Sequence, residues 1–144
     1  MTAQRMLSVV AGVSLVYDLA AGLLLLFATG SIASWFGAPV PDPVLFAKLT
    51  GLFLIAVGLG YLQPLLRPDA HRAYLWVFGV LLKGAGAIVF IADRLVHGSP
   101  VSFLLFAVSD GFLAAWTLAA LLRKDARALP SSARTTDTPG SRPV

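Results

Sequence analysis

Apolar positions in this chain gather into four long runs, and the charged, prolyl and glycyl residues collect in the short segments between them. A helix needs about 20 apolar residues to cross a hydrocarbon layer of about 30 Å. The pattern therefore predicts membrane spans at Leu7–Thr29, Val44–Gln63, Ala73–Ala92 and Val101–Leu122. Proline marks their limits. Pro39, Pro41, Pro43, Pro64, Pro68 and Pro100 fall between the predicted spans, and Pro130, Pro139 and Pro143 lie beyond the last. A proline inside a helix would remove a backbone hydrogen bond and clash with the preceding turn. The short segments of alternating polarity that build a membrane β-barrel are absent. The expected fold class is all-α: an integral membrane four-helix bundle over residues 1–122, followed by a disordered basic tail over residues 123–144. That tail, RKDARALPSSARTTDTPGSRPV, is polar, rich in Pro, Ser and Thr, and free of aromatics, which leaves too little apolar surface to offset the entropy of ordering.

The segments between the runs carry their own signals. Arg5, an apolar run and the small residues Ala28–Ser31 imitate a secretory signal peptide. The run is too long for one, and Asp18 interrupts it, so the first span is expected to be retained. In Gly30–Pro43 the aromatics Trp35 and Phe36 predict a short helix at the membrane interface, serving as an anchor or as a lid over the bundle. Tyr61, Tyr74 and Trp76 read as the aromatic belt of the opposite surface. Leu45-Phe46-Ala47 with Gly51 is echoed by Leu105-Phe106-Ala107 with Gly111. Duplication of a helical hairpin and chance in a Leu/Ala/Gly-rich chain both account for that echo.

Composition narrows the function classes. The chain is 58% hydrophobic and 12% charged, against about a quarter charged in soluble domains. All seven acids are Asp, and there is no Cys. Thiolate metal sites and dithiol redox chemistry are thereby excluded. His71 and His97 lie in different connecting segments, so no set of metal or haem ligands is expected within the bilayer. No basic patch interleaved with aromatics suggests nucleic acid, and the net charge of +4 is better read as topology. Arg5, Arg67, Arg72, Arg123, Lys124, Arg127, Arg134 and Arg142 fall on one side of the predicted membrane, and only Arg94 on the other. The positive-inside rule then expects both termini in the cytoplasm.

Three ionisable residues fall inside the spans at one depth. At 1.5 Å per residue, Asp18 lies roughly 16 Å and Lys83 roughly 15 Å from the inner boundary. Asp110 lies roughly 13–14 Å from the outer one, so all three converge on the midplane. Lys48, roughly 6 Å from the outer boundary, can snorkel to water. A charge at the bilayer centre costs about 2.5–3.5 kcal/mol on insertion scales, so pairing is expected. One lysine cannot neutralise two carboxylates. One Asp is expected to stay uncharged at pH 7, unless Lys48 reaches down to the cluster. Ser14 and Gly22 around Asp18, Gly79, Gly86 and Ala87 around Lys83, and Ala107 and Ala114 around Asp110 point these faces inward, where small residues allow close helix approach. Tyr17 points about 100° from Asp18 and is expected to pack. Asp18, Lys83, Asp110 and Lys48 are the candidate residues for ligand binding or proton relay, and a structural role in fixing helix register weighs equally.

Trp35-Phe36-Gly37 with Pro39, Lys48-Leu49-Thr50-Gly51 running to Gly58-Leu59-Gly60-Tyr61-Leu62, Leu82-Lys83-Gly84 and Asp110-Gly111 together form a layout. Across residues 5–122 it resembles the DoxX-like group of small bacterial four-helix membrane proteins. The resemblance implies the bacterial cytoplasmic (inner) membrane and a role beside oxidoreductase systems, such as the membrane subunit of thiosulfate–quinone oxidoreduction. It carries no catalytic residues. Three functions stay open. One is a redox-associated membrane subunit, not a self-contained enzyme, binding a lipophilic molecule such as a quinone at the cluster. Another is a proton-coupled small transporter acting as a homo-oligomer. The third is an assembly protein whose cluster only specifies packing. The expected partners are the lipid bilayer and another membrane or oxidoreductase subunit.

Overall fold

A computed structural model describes residues 2–128, with side chains as far as Arg123. The described residues are helical with no strand. Helix α1 (Ala3–Phe27) starts at Thr2, whose side-chain oxygen accepts the Arg5 N–H, a normal N-cap. The backbone breaks at Ala28, and α2 (Thr29–Trp35) turns away. Gly37, at φ +63°, ends it. The Ala38 N–H reaches Ala33 O at 2.9 Å and the Gly37 N–H reaches Ser34 O at 3.1 Å, the paired bonds of a Schellman closure that favours glycine. After the Pro-rich segment come α3 (Leu45–Gly60) and α4 (Leu62–Leu66). Helix α5 (Arg72–Tyr74), a π-helical run over Leu75–Leu82 and α6 (Lys83–His97) continue as one rod. A 3₁₀ turn at Val101–Phe103 leads into α7 (Leu104–Ala128).

Among the described residues, four helical stretches are long and apolar enough to cross a membrane: Ala3–Phe27, Leu45–Leu66, Arg72–His97 and Val101–Arg123. Each of the four expected runs forms such a helix, with shifted ends. Pro64 lies inside the second stretch, not beyond it. It sits in the first turn of α4, just after the chain tightens at Tyr61, where a missing N–H costs no helix bond. The last helix runs six residues past Leu122, because Arg123–Ala128 is built largely of good helix formers. The rest of the expected tail, 129–144, lies outside the described residues.

Helix α1 is central, packing on α3 along one side and on α7 along another, while α6 packs on α7. At the end of the molecule that holds Leu7, the residues Leu7, Ala11, Val57, Tyr61, Leu75 and Leu121 form a closed core. Elsewhere the apolar side chains point out: Val16, Phe53, Leu81, Ile88, Leu105 and Phe112 are each at least half exposed. Only 22–33% of the most apolar stretch of each span is buried. Such a surface suits lipid.

Close backbone approach sets the α1–α3 contact. A Cβ on Gly22 would lie 2.7 Å from Gly51 O, and one on Gly51 would lie 2.7 Å from Gly22 O. In the other hairpin Gly111 faces Ala87 at 3.6 Å. The glycines of the two echoed motifs therefore differ: Gly51 is required by backbone contact, while a Cβ on Gly111 would make only an ordinary van der Waals contact with Ala87. Since backbone cannot yield cheaply, Gly51→Ala should cost at least about 1–3 kcal/mol by overpacking, seen as a lower thermal midpoint in detergent. Gly30→Ala, with nothing within 4 Å, should leave the midpoint unchanged. Equal midpoints for the two variants would refute this packing.

Candidate functional site: a buried Asp–Lys–Asp cluster

The three mid-span charges meet. Lys83 Nζ donates to Asp18 Oδ1 at 2.6 Å and lies 3.5 Å from Asp110 Oδ1. Their side chains are 5%, 2% and 17% exposed for Lys83, Asp18 and Asp110 respectively. The site is therefore asymmetric. Asp18 and Lys83 form a short, enclosed ion pair, and Asp110 is a looser partner with an open edge.

Local folding explains the convergence. Asp18 shares the buried face of α1 with Ser14, Ala11 and Leu7, one turn apart in each case. Lys83 is the first residue after the π-helical run. The wider turn changes the register of α6, and Gly79 within it leaves room for Thr117: a Cβ there would sit 2.9 Å from Thr117 Cγ2. Asp110 lies between Ala107 and Ala114 on α7. Gly86 faces its open edge, where a Cβ would stand 3.5 Å from Asp110 Oδ2.

One expectation about an individual residue is corrected. Tyr17 is not merely a packing residue. Its ring lies under Lys83, 4.8 Å from Nζ to the ring centre, within cation–π range. Its hydroxyl is 2.7 Å from Ser109 Oγ. Either hydroxyl can be the donor of this bond, since each carries one proton and accepts as well. A 100° offset still leaves a long aromatic side chain within reach of its neighbour's partner. Lys48 stays outside the cluster. Ala47 and Gly51 occupy the side of α3 turned inward, which leaves Lys48 exposed, and among the described residues no carboxylate lies within ion-pair distance of it.

The two aromatic belts also divide differently from expectation. Trp35 is 69% exposed, as an anchor would be. Phe36 turns inward and stacks on Phe106 at 4.9 Å and Phe103 at 5.8 Å, with Phe90 5.5 Å from Phe106. Ser102 ties down this corner by donating to Phe36 O at 2.5 Å. Phe106 is one turn from Asp110, so the stack roofs the cluster on that side. At the opposite side Tyr61 belongs to the core, fully buried and edge-on to Tyr74 at 5.1 Å, because α4 and α5 close over it. Tyr74 donates to Val57 O at 2.5 Å.

An ammonium flanked by two carboxylates and a phenol can donate, accept and exchange protons, and can hydrogen-bond a polar guest that reaches Asp110. No protein-family model, curated protein or solved structure gives a significant match to this chain. The DoxX-like resemblance accordingly draws no support from those comparisons.

Breaking the enclosed pair should be costly, because it strands a buried charge. Asp18→Ala is expected to lower stability by about 3–5 kcal/mol. The double variant Asp18→Leu with Lys83→Met, which removes both charges and keeps apolar volume, should recover most of that loss. Chemical or thermal unfolding in detergent measures both. A loss below about 1 kcal/mol for Asp18→Ala would show that the pair behaves like a solvated one.

Proposed function

We propose that this chain is a multi-pass protein of the bacterial cytoplasmic membrane, with both termini in the cytoplasm. In this reading it is a non-catalytic membrane subunit of a redox system that binds a lipophilic molecule with a polar head, such as a quinone, at the midplane cluster. The observation carrying the proposal is the asymmetry of that cluster. Asp18 holds Lys83 in an enclosed pair, while Asp110 keeps a carboxylate edge 17% exposed at mid-span, and Gly86 leaves the space beside it open. A partly exposed carboxyl group at that depth is costly unless something polar meets it.

The donor set suits a quinone head. Lys83 supplies hydrogens to a carbonyl oxygen, the Asp110 carboxyl group can hold or give up a proton beside it, and the stacked Phe36, Phe106 and Phe90 rings offer flat apolar surface. A quinone, when bound, supplies two-electron redox chemistry that the side chains of this chain lack. The resemblance to the DoxX-like group and the eight-to-one distribution of basic residues support the setting and the orientation. A second reading, a cluster that only fixes helix register, is favoured by the 2.6 Å pairing of Asp18 with Lys83. The ligand experiment separates the two.

Adding a lipid-soluble quinone to the purified protein should raise its thermal midpoint. Saturation at about 100 times Kd corresponds to about 2.7 kcal/mol. Asp110→Asn and Gly86→Leu should each abolish the shift, the second by filling the approach without touching a charge. No shift in the unsubstituted protein would remove the quinone reading and leave the register role. For orientation, a reporter fluorescent only in the cytoplasm should be bright when fused after Val144 and dark when inserted between Pro39 and Pro43. The reverse pattern would overturn the topology.

A further inference from the structure

A second polar site lies one turn from Asp18, towards the Leu7 end of the molecule. Ser14 and Tyr61 are both 0% exposed, and neither Ser14 Oγ nor the Tyr61 hydroxyl makes a hydrogen bond of ordinary geometry in the protein. The two hydroxyls lie close enough to act on each other, and Asp18 is one turn from Ser14 on the buried face of α1. Asp18 carries the nearest carboxylate on the same helix, and its Oδ1 is taken by Lys83.

Ser14 is the more telling of the two hydroxyls. A helical serine or threonine can always satisfy itself by folding back onto the carbonyl one turn earlier. Thr29, Thr50, Ser109 and Thr117 all do so, donating to Leu25, Phe46, Leu105 and Leu113. Ser14 does not form the corresponding bond to Val10. Buried hydroxyls without partners are rare and costly in native proteins. Two such hydroxyls, one turn from a buried carboxylate, can supply the two to four contacts that a buried water requires.

We propose that Ser14 Oγ, the Tyr61 hydroxyl and the Asp18 carboxylate hold an enclosed internal water on the side of the Asp18–Lys83 pair that faces the Leu7 end. The cluster then has two separate polar edges. One is this water beside Tyr61, and the other is Asp110 beside Gly86. The water gives the Asp18 carboxylate a second donor besides Lys83. The guest is neutral and small, since Leu7, Val10 and Ala11 pack the same face of α1 completely. This site stands independently of any ligand at Asp110.

Water-edited solid-state NMR of the full chain in lipid bilayers tests it. Magnetisation from water should reach Ser14, Tyr61 and the Asp18 carboxyl carbon quickly, while Leu7 and Leu121, equally buried in the dry core, stay slow. Transfer to Ser14 and Asp18 as slow as to Leu7 and Leu121 would overturn the proposal. In Ser14→Ala combined with Tyr61→Phe, which removes two oxygens and little volume, Asp18 should fall to the slow class. Rapid transfer to Asp18 in that variant would mean that water arrives past Asp110, and would equally overturn the assignment. Should the double variant fail to fold, the unsubstituted protein and Ser14→Ala alone still decide the matter.

Discussion

An ion pair between Lys83 and Asp18 holds the helices in their arrangement. It joins residues 65 positions apart in the sequence and links the first and third spans, which otherwise meet mainly along the π-helical stretch. In water such a pair contributes little. Enclosed in an apolar setting it has no good alternative, because separating the charges leaves both without partners. Everything that brings the helices to the right rotation and depth therefore works toward this contact.

Two devices achieve that. Glycine at Gly22 and Gly51 brings α1 and α3 into backbone contact, which fixes the height of Asp18. The π-helical turn from Leu75 to Leu82 ends at Lys83, and π turns recur where a helix must re-aim a side chain. With the pair set, Asp110 is held near Lys83 but not enclosed. The same geometry that satisfies one acid leaves the other available. Tyr17 braces the arrangement from below, with its ring against the ammonium and its hydroxyl on α7.

Much of this is legible in the chain. Run length and proline placement give four helices, and depth counting brings Asp18, Lys83 and Asp110 together, since rise per residue is nearly invariant. Azimuth is harder. An ideal 100° step ignores the reach of a tyrosine, so it misses the contact of Tyr17 with Lys83, and the π-helical run, which has no sequence signature, shifts the register of α6. Tyr61 looks like a surface aromatic because it lies near the end of a span. Its burial depends on α4 and α5 closing over it, a tertiary outcome. Lys48 is ambiguous in depth alone, and the packing of Ala47 and Gly51 against α1 decides its direction. The partnerless hydroxyls of Ser14 and Tyr61 cannot be read from sequence at all, because hydrogen-bond satisfaction is a property of the assembled core.

Lys83 belongs to Asp18, with Asp110 as the looser member of the cluster. Dipolar recoupling between ¹⁵N-labelled lysine and ¹³C-labelled aspartate in lipid bilayers measures this directly, with Lys83→Met identifying the signal. A strong coupling from Lys83 Nζ to the Asp18 carboxyl carbon and a weaker one to that of Asp110 is expected. A lysine coupled to neither acid, or more strongly to Asp110 than to Asp18, would refute this pairing.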